Sequence, residues 1–269
     1  MSEQIVECHI EDEWATLWLN RPDVRNALSS EMVASLRQHL TDLAHRDDVR
    51  GLTVRGRGGT FCAGGDIKGF KAIFQGGAQT EEDVAAANRE GGELFAQMDA
   101  FPHPVIMLVE GAAMAGGMGM VCTGDIVIAT ADTKFALTET TLGIPPAQIA
   151  PYIVRRLGLA TARRLVLTAA RFAAAEAHGF GLVDYVVPHL EEAEAQEARI
   201  RRDVLKCAPG ANAITKDIVR ASFHLSGEPL MDYAARGFAR AMLSDEGREG
   251  VSAFLEKRSA AWSRLGDKK

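Results

Sequence analysis

Two stretches of this chain constrain its fold more than any others, because each runs from branched, strand-forming residues straight into a glycine-rich turn. In the first, Leu52-Thr53-Val54 leads into Gly56-Arg57-Gly58-Gly59-Thr60-Phe61-Cys62-Ala63-Gly64-Gly65-Asp66. In the second, Val105-Ile106-Met107-Leu108-Val109 leads into Glu110-Gly111-Ala112-Ala113-Met114-Ala115-Gly116-Gly117-Met118-Gly119-Met120. Each turn opens onto a segment able to be helical. Helix N-termini leave their first N–H groups unpaired and carry partial positive charge, so two of them converging form a seat for an oxyanion. Glycine and alanine suit such a seat because larger side chains would hold a substrate away from the backbone. The competing reading of either turn alone is a plain tight turn after a strand. Neither reads G-x-G-x-x-G and no Gly-Lys-Ser/Thr follows, which disfavours dinucleotide and P-loop phosphate cradles. The absence of G-x-S-x-G removes the simplest serine hydrolase.

With 269 residues the chain is long enough for one large domain, or for a core with a smaller appendage. A net charge of −6 argues against a nucleic-acid groove, and the clusters Arg155-Arg156, Arg163-Arg164 and Arg199, Arg201, Arg202 read as solvated helix faces. Cys8, Cys62, Cys122 and Cys207 are widely spaced, without a C-x-x-C pair or neighbouring histidines. That pattern suits a reducing compartment and gives neither a disulfide framework nor a metal site. Met1-Ser2-Glu3-Gln4 lacks the basic and apolar regions of a signal, and no apolar run approaches the ~18 residues of a membrane span. A cytoplasmic protein that binds neither membrane nor nucleic acid is the expectation.

Periodicity organises the rest. Ile5 to Ile10 and Trp14 to Leu19 read as a hairpin turned at Asp12-Glu13, with Ala15, Leu17 and Leu19 on one face. Ser29 or Ser30 caps a helix to about Arg46 whose Met32, Leu36, Leu40 and Leu43 face the core. Ile67 to Phe74 reads as a short helix and residues 75–79 as a mobile link. Thr80 with Asp83 opens another helix toward Ala100, which Pro102 and Pro104 stop. Strands are expected over Asp125 to Thr130, Phe135 to Leu137 and Gly179 to Val187, with helices over Ile149 to Leu157 and Thr161 to Thr168. Beyond Leu190 the chain turns charged and alanine-rich, and reads as helices over Glu191 to Lys206, Ala211 to His224, Pro229 to Leu243 and Glu246 to Trp262. Strand, glycine turn and helix thus occur twice, a weak ββα repeat.

Phe61-Cys62-Ala63-Gly64-Gly65-Asp66-Ile67, the run Gly111 to Asp125, and Phe135-Ala136-Leu137-Thr138-Glu139-Thr140-Thr141-Leu142-Gly143-Ile144-Pro145 resemble the enoyl-CoA hydratase/isomerase (crotonase) superfamily. The flanks Asn20-Arg21-Pro22, Asn26-Ala27-Leu28 and Phe254-Leu255-Glu256-Lys257-Arg258 resemble its opening and closing segments, so the likeness spans nearly the whole chain. It implies an α/β fold, a crotonase-like spiral of ββα repeats over residues 1–189 carrying an acyl-CoA site. Residues 190–269 would form a helical C-terminal trimerisation region, with trimers often paired as hexamers.

The resemblance further implies oxyanion donors at the Ala63 and Gly116 N–H groups and an acid/base at Glu139. Substrate contacts fall at Arg25, Ala27, Ala63, Gly64, Gly65, Asp66, Ile67, Gly116, Phe254 and Lys257, with no metal and no cofactor beyond the CoA moiety of the substrate. Asp66 reads mainly as a brace for the first turn. Met114, Met118, Met120, Phe70 and Phe74 either shape an acyl pocket or belong to the core.

The best-known hydratases of the family carry a second glutamate three residues after the oxyanion glycine, where this chain has Gly119. One reading is therefore hydration of a 2-enoyl-CoA by a single glutamate. The residues after Leu142 resemble bacterial hydratases acting on branched glutaconyl-type thioesters (3-methylglutaconyl- or isohexenylglutaconyl-CoA). The alternative is a Δ3,Δ2-enoyl-CoA isomerase in which Glu139 shuttles a proton between C2 and C4. A third, of another class, is an inactive homologue that binds acyl-CoA or RNA, against which the acidic balance and the presence of Glu139 both argue.

Overall fold

The computed structural model describes residues 4–66 and 80–263. The expected short helix from Ile67 and the link 75–79 lie outside the described residues. The hairpin forms as read, β1 (Val6–Glu11) antiparallel to β2 (Trp14–Leu19), turned by Asp12 and Glu13 at positive φ. From β2 onward the large sheet is parallel: β3 (Gly51–Gly56), β4 (Val105–Val109), β6 (Ile126–Thr130) and β9 (Tyr185–Val187) complete the order β1-β2-β3-β4-β6-β9. A parallel sheet has to be covered on both faces, and β4 shows how the sequence does this. Val105, Met107 and Val109 join the main core, while Ile106 and Leu108 point into a second core on the other face.

Helix α1 (Ser30–Ala44) covers the first face, capped by Ser29 and burying Met32, Leu36, Leu40 and Leu43 at the expected spacing. Beside it lies α2 (Glu81–Asp99), opened by the reciprocal Thr80 and Asp83 bonds of a capping box. The second face is covered by α6 (Leu190–Leu205), whose Ala193 and Ile200 pack with Trp14, Ile106, Leu108 and Ile128. A polar strut crosses the same layer, in which Trp14 Nε1 donates to Thr53 Oγ1 at 2.9 Å and Thr53 Oγ1 donates to Glu197 Oε1 at 2.5 Å.

A second sheet of three strands, β5 (Ala112–Met114), β7 (Lys134–Ala136) and β8 (Arg171–Ala173), stands beside the first in the order β5-β7-β8. Helix α3 (Gly116–Thr123) leaves the end of β5, and α4 (Ala150–Thr168) follows a 3-10 turn over Glu139–Leu142. The two expected helices of that region form one run broken at Gly158, which has φ 74°. The strand expected from Gly179 is a correction: helix α5 (Ala174–Gly179) and a turn occupy most of that span, and only Tyr185–Val187 is strand. Side chains hold the turn shut, since His178 Nδ1 pairs with Val183 O at 2.8 Å and Asp184 accepts from Val127 N–H and Arg156, each at 2.7 Å. Helices α7 (Pro209–Ala221), α8 (Gly227–Leu243) and α9 (Asp245–Glu256) follow and pack on one another.

The α/β class and the spiral of parallel strands with helical layers match the expectation. Among the described residues, no helix is long and apolar enough to cross a membrane.

Candidate active site

The two glycine turns meet because the first is stitched on both edges. On one edge Cys62 joins β5 in a parallel bridge, its N–H donating to Ala112 O at 3.0 Å and its C=O accepting from Met114 N–H at 2.9 Å. On the other, Leu28 bridges Gly65: Leu28 N–H donates to Gly64 O at 2.8 Å and Asp66 N–H donates to Leu28 O at 3.0 Å. A parallel bridge of that kind uses the groups of residues 64 and 66 and turns those of residue 65 the opposite way. Gly65 N–H is thereby left without a hydrogen-bond partner among the described residues.

This corrects the expected role of Ala63. Its N–H is donated to Arg25 O at 2.9 Å, so it is not open to a ligand. The Gly65 amide, unpaired among the described residues, lies close to the second turn: a Cβ placed on Gly116 would lie 3.9 Å from Gly65 N. Gly116 is the first residue of α3, and its own N–H has no partner among the described residues. Ala115, the residue before it, is held at φ 48° and ψ −121° with its N–H on Ala136 O at 2.8 Å. Two donors without partners among the described residues thus lie close together, one of them at a helix start.

The opening segment supports this arrangement from below. Asn26 is fully buried; its Oδ1 accepts Arg21 N–H at 2.8 Å, and its Nδ2 donates to Arg57 O at 2.9 Å and Thr60 O at 2.7 Å. Arg21 in turn reaches Ala27 O at 2.7 Å and Asp66 Oδ2 at 3.1 Å, which places Asp66 in a bracing contact. Arg25 contributes its carbonyl to the turn while its side chain is exposed. Cys62 is fully buried, and burial pushes its thiol up to about 12, so it packs rather than reacts.

Glu139 begins the 3-10 turn after β7 and is half-buried. Its Oε2 is inaccessible to solvent and has no hydrogen-bond partner among the described residues. Burial raises its pKa above the ordinary carboxylate range, partly offset by a hydrogen bond from its own backbone N–H. A buried carboxylate oxygen without a donor is costly in a folded chain.

The remaining expected contacts lie elsewhere. Ile67, Phe70 and Phe74 are outside the described residues. Met118 and Met120 are fully buried core, and Met114 is half-buried. Phe254 is 83% exposed at the end of α9, and Lys257 caps that helix at φ 55°; the helix packs on α8 and α7. Arg155 lines a recess of about 460 Å³ with Phe223 and His224, already bonded to Asp99 Oδ2 at 3.1 Å. Arg156 is spent on the carbonyls of Gly181, Gly124 and Leu182 and on Asp184. Among the described residues, no cluster of His, Cys, Asp and Glu is placed to hold a metal ion.

The geometry defines an α/β protein in which two glycine turns bring the Gly65 and Gly116 amides together, with the half-buried carboxylate of Glu139 at the end of the neighbouring strand. The chain belongs to the enoyl-CoA hydratase/isomerase family, whose model matches residues 10–265. It is similar to Pseudomonas aeruginosa AtuE, with 42% identity and a TM-score of 0.93 over 97% of this chain and 100% of that one. An enoyl-CoA hydratase/isomerase from Marinobacter aquaeolei gives 39% identity and a TM-score of 0.91 over 96% of this chain and 99% of that one. The human mitochondrial enoyl-CoA hydratase domain-containing protein 2 is 32% identical over 246 residues, 90% of this chain and 82% of the human protein.

Proposed function

We propose that this protein adds water to a 2-enoyl-CoA thioester with a branched, glutaconyl-like acyl group. The observation that carries the reading is two neighbouring amides, Gly65 and Gly116, unbonded among the described residues, with Glu139 and its unpartnered Oε2 only three residues after Ala136, whose carbonyl holds the Ala115 N–H. A thioester carbonyl between the amides is polarised, and each well-aimed donor lowers the barrier by about 3 kcal/mol as charge builds on that oxygen. Glu139 takes a proton from water as the water oxygen bonds to C3, the C2=C3 electrons moving to the thioester oxygen. The same carboxyl then returns the proton to C2 as the enolate collapses. A raised pKa strengthens the base and brings its acid form closer to neutral pH. No group is needed beyond the CoA moiety of the substrate, and Arg25, exposed beside the first turn, is suited to its phosphates.

Assembly as a trimer or hexamer belongs to this reading. It is supported by apolar side chains standing out from the C-terminal helices: Met231, Phe238, Leu243 and Phe254 are each at least 65% exposed. Phe254 and Lys257 would then approach the CoA of a neighbouring copy. Equilibrium sedimentation tests it, a monomer at micromolar concentration being the contrary result.

Loss of enoyl absorbance with branched glutaconyl-CoA thioesters is the direct assay, and Glu139→Ala should abolish it. An intact rate in that variant removes Glu139 as the base. A second reading is favoured by one feature, the glycine at 119: with a single carboxylate, a proton moved between C2 and C4 gives isomerisation without water. Deuterium uptake at C4 with no net hydration selects it.

A further inference from the structure

Gly119 lies one helical turn after Gly116, on the same face of α3 as the amide proposed to seat the thioester. The space outside it is filled. A Cβ built on Gly119 would lie 2.2 Å from Ile149 Cγ2 and 2.6 Å from Ile149 Cβ, contacts no real side chain tolerates. Ile149 is only 4% exposed and is fixed from both sides along the chain. Its carbonyl accepts the N–H groups of Tyr152 and Ile153, each at 3.1 Å, at the start of α4. The preceding Gln148 is keyed into α2, where a Cβ on Gly92 would lie 2.2 Å from Gln148 Oε1, and its Nε2 donates to Asn88 Oδ1 at 2.7 Å. Two consecutive side chains therefore lock into glycine notches on two helices.

We propose that Ile149 is a specificity-determining residue of the acyl pocket. It closes with hydrocarbon the place on the oxyanion helix from which a second proton-transferring side chain would project. This rests on the reading that Gly65 and Gly116 bind the thioester oxygen. The glycine at 119 and the isoleucine at 149 then form one device: the helix gives up its side chain, and the segment before α4 supplies an apolar wall beside the reacting carbons. That wall limits acyl bulk near C2 and C3 and keeps water from the side opposite to the one Glu139 serves. A carboxylate cannot be restored at 119 while Ile149 keeps its place.

The test uses the full chain, its Ile149→Val and Ile149→Ala variants, and thioesters of increasing bulk at C3, from straight-chain crotonyl-CoA to 3-methyl and longer 3-branched 2-enoyl-CoA. Dissociation constants by calorimetry and kcat/KM are measured on folded protein, checked by circular dichroism. Ile149→Ala should shift the preference toward the bulkier acyl group about tenfold, with Ile149→Val in between, in the range that a few methylene groups set in an apolar pocket. A ratio unchanged within about twofold in both variants, with wild-type binding intact, overturns the role of Ile149 alone. Absence of wild-type binding to every thioester overturns it together with the reading it rests on. Gly119→Glu and the double variant Gly119→Glu/Ile149→Gly give an independent arm read by melting temperature. The single variant should melt well below wild type and the double variant should recover; equal melting of the single variant and wild type shows that Ile149 does not fill the notch.

Discussion

Gly64 and Ala115 interlock the two glycine turns. A Cβ on Gly64 would lie 2.9 Å from Ala115 Cβ and 2.9 Å from Met114 O, and Gly64 itself sits at φ 95°. Both restrictions act against any side chain at 64, one by overlap with the backbone of the second turn and the other by left-handed strain. Gly64→Ala is expected to destabilise the fold by about 2 kcal/mol or more and to cut turnover by separating the amides of Gly65 and Gly116. Urea denaturation followed by circular dichroism reads the first effect, enoyl absorbance the second.

Ala115 carries the complementary strain, a non-glycine residue at φ 48° and ψ −121°. Ala115→Gly is expected to keep activity and to gain up to about 1 kcal/mol of stability, since glycine adopts that backbone without strain. A loss of stability would show that the alanine methyl, packed on Gly64, contributes more than the strain removes.

Asn26 is the fully buried tie between the opening segment and the first turn, satisfying one backbone N–H and two carbonyls. Asn26→Ala leaves three half-buried backbone groups without this partner and places alanine at a φ of 56° that asparagine tolerates better. The expected loss is about 3 kcal/mol, with slope m unchanged. A loss under about 0.5 kcal/mol would mean that water replaces the amide.

Much of this was readable before any coordinates. Helix α1 and the Thr80 capping box declare themselves through local spacing, which a single segment carries on its own. The proposed oxyanion donors divide differently: the Gly116 amide follows from its place at a helix start, whereas the first turn offers several amides in a row. Which of them stays free depends on Leu28, more than thirty residues earlier, pairing with residues 64 and 66 and on Arg25 taking the Ala63 N–H. That is tertiary information, and the amide expected from sequence, that of Ala63, is a bonded one. The partner of Gly119 was hidden for the same reason, because nothing local links it to Ile149. The short α5 was missed because the turn after it is closed by side chains, His178 on Val183 O and Asp184 on the N–H of Val127 in a distant strand, and not by a periodic pattern.

Proline at Gly116 would test the donor directly. As the first residue of α3 it occupies the one helical position where proline is favoured, and the substitution deletes the N–H of interest. Gly116→Ala keeps that N–H and adds a Cβ 3.3 Å from Leu28 Cδ1, a contact a flexible leucine can relieve. Gly116→Pro is expected to lower kcat by about 10²- to 10³-fold with helix content retained, and Gly116→Ala far less. Equal losses in the two variants would make the effect one of packing.

In the proposed reaction Glu139 links activity to stability through pH. Its carboxyl is held above the usual range mainly by burial, so the folded chain binds this proton more tightly than the unfolded chain does. Stability from this group is fully present below the unfolded glutamate pKa of about 4.3 and falls as pH rises through the raised folded value, above which the buried charge persists. Glu139→Gln keeps the shape and removes that charge. The variant should therefore melt above wild type at pH 8, with the difference vanishing near pH 4, while turnover is lost at both. Differential scanning calorimetry of the two proteins across that range reads the difference. A gap that grows toward acid would mean that Glu139 is held ionised by a favourable partner, and the proton transfer assigned to it would lose its physical basis.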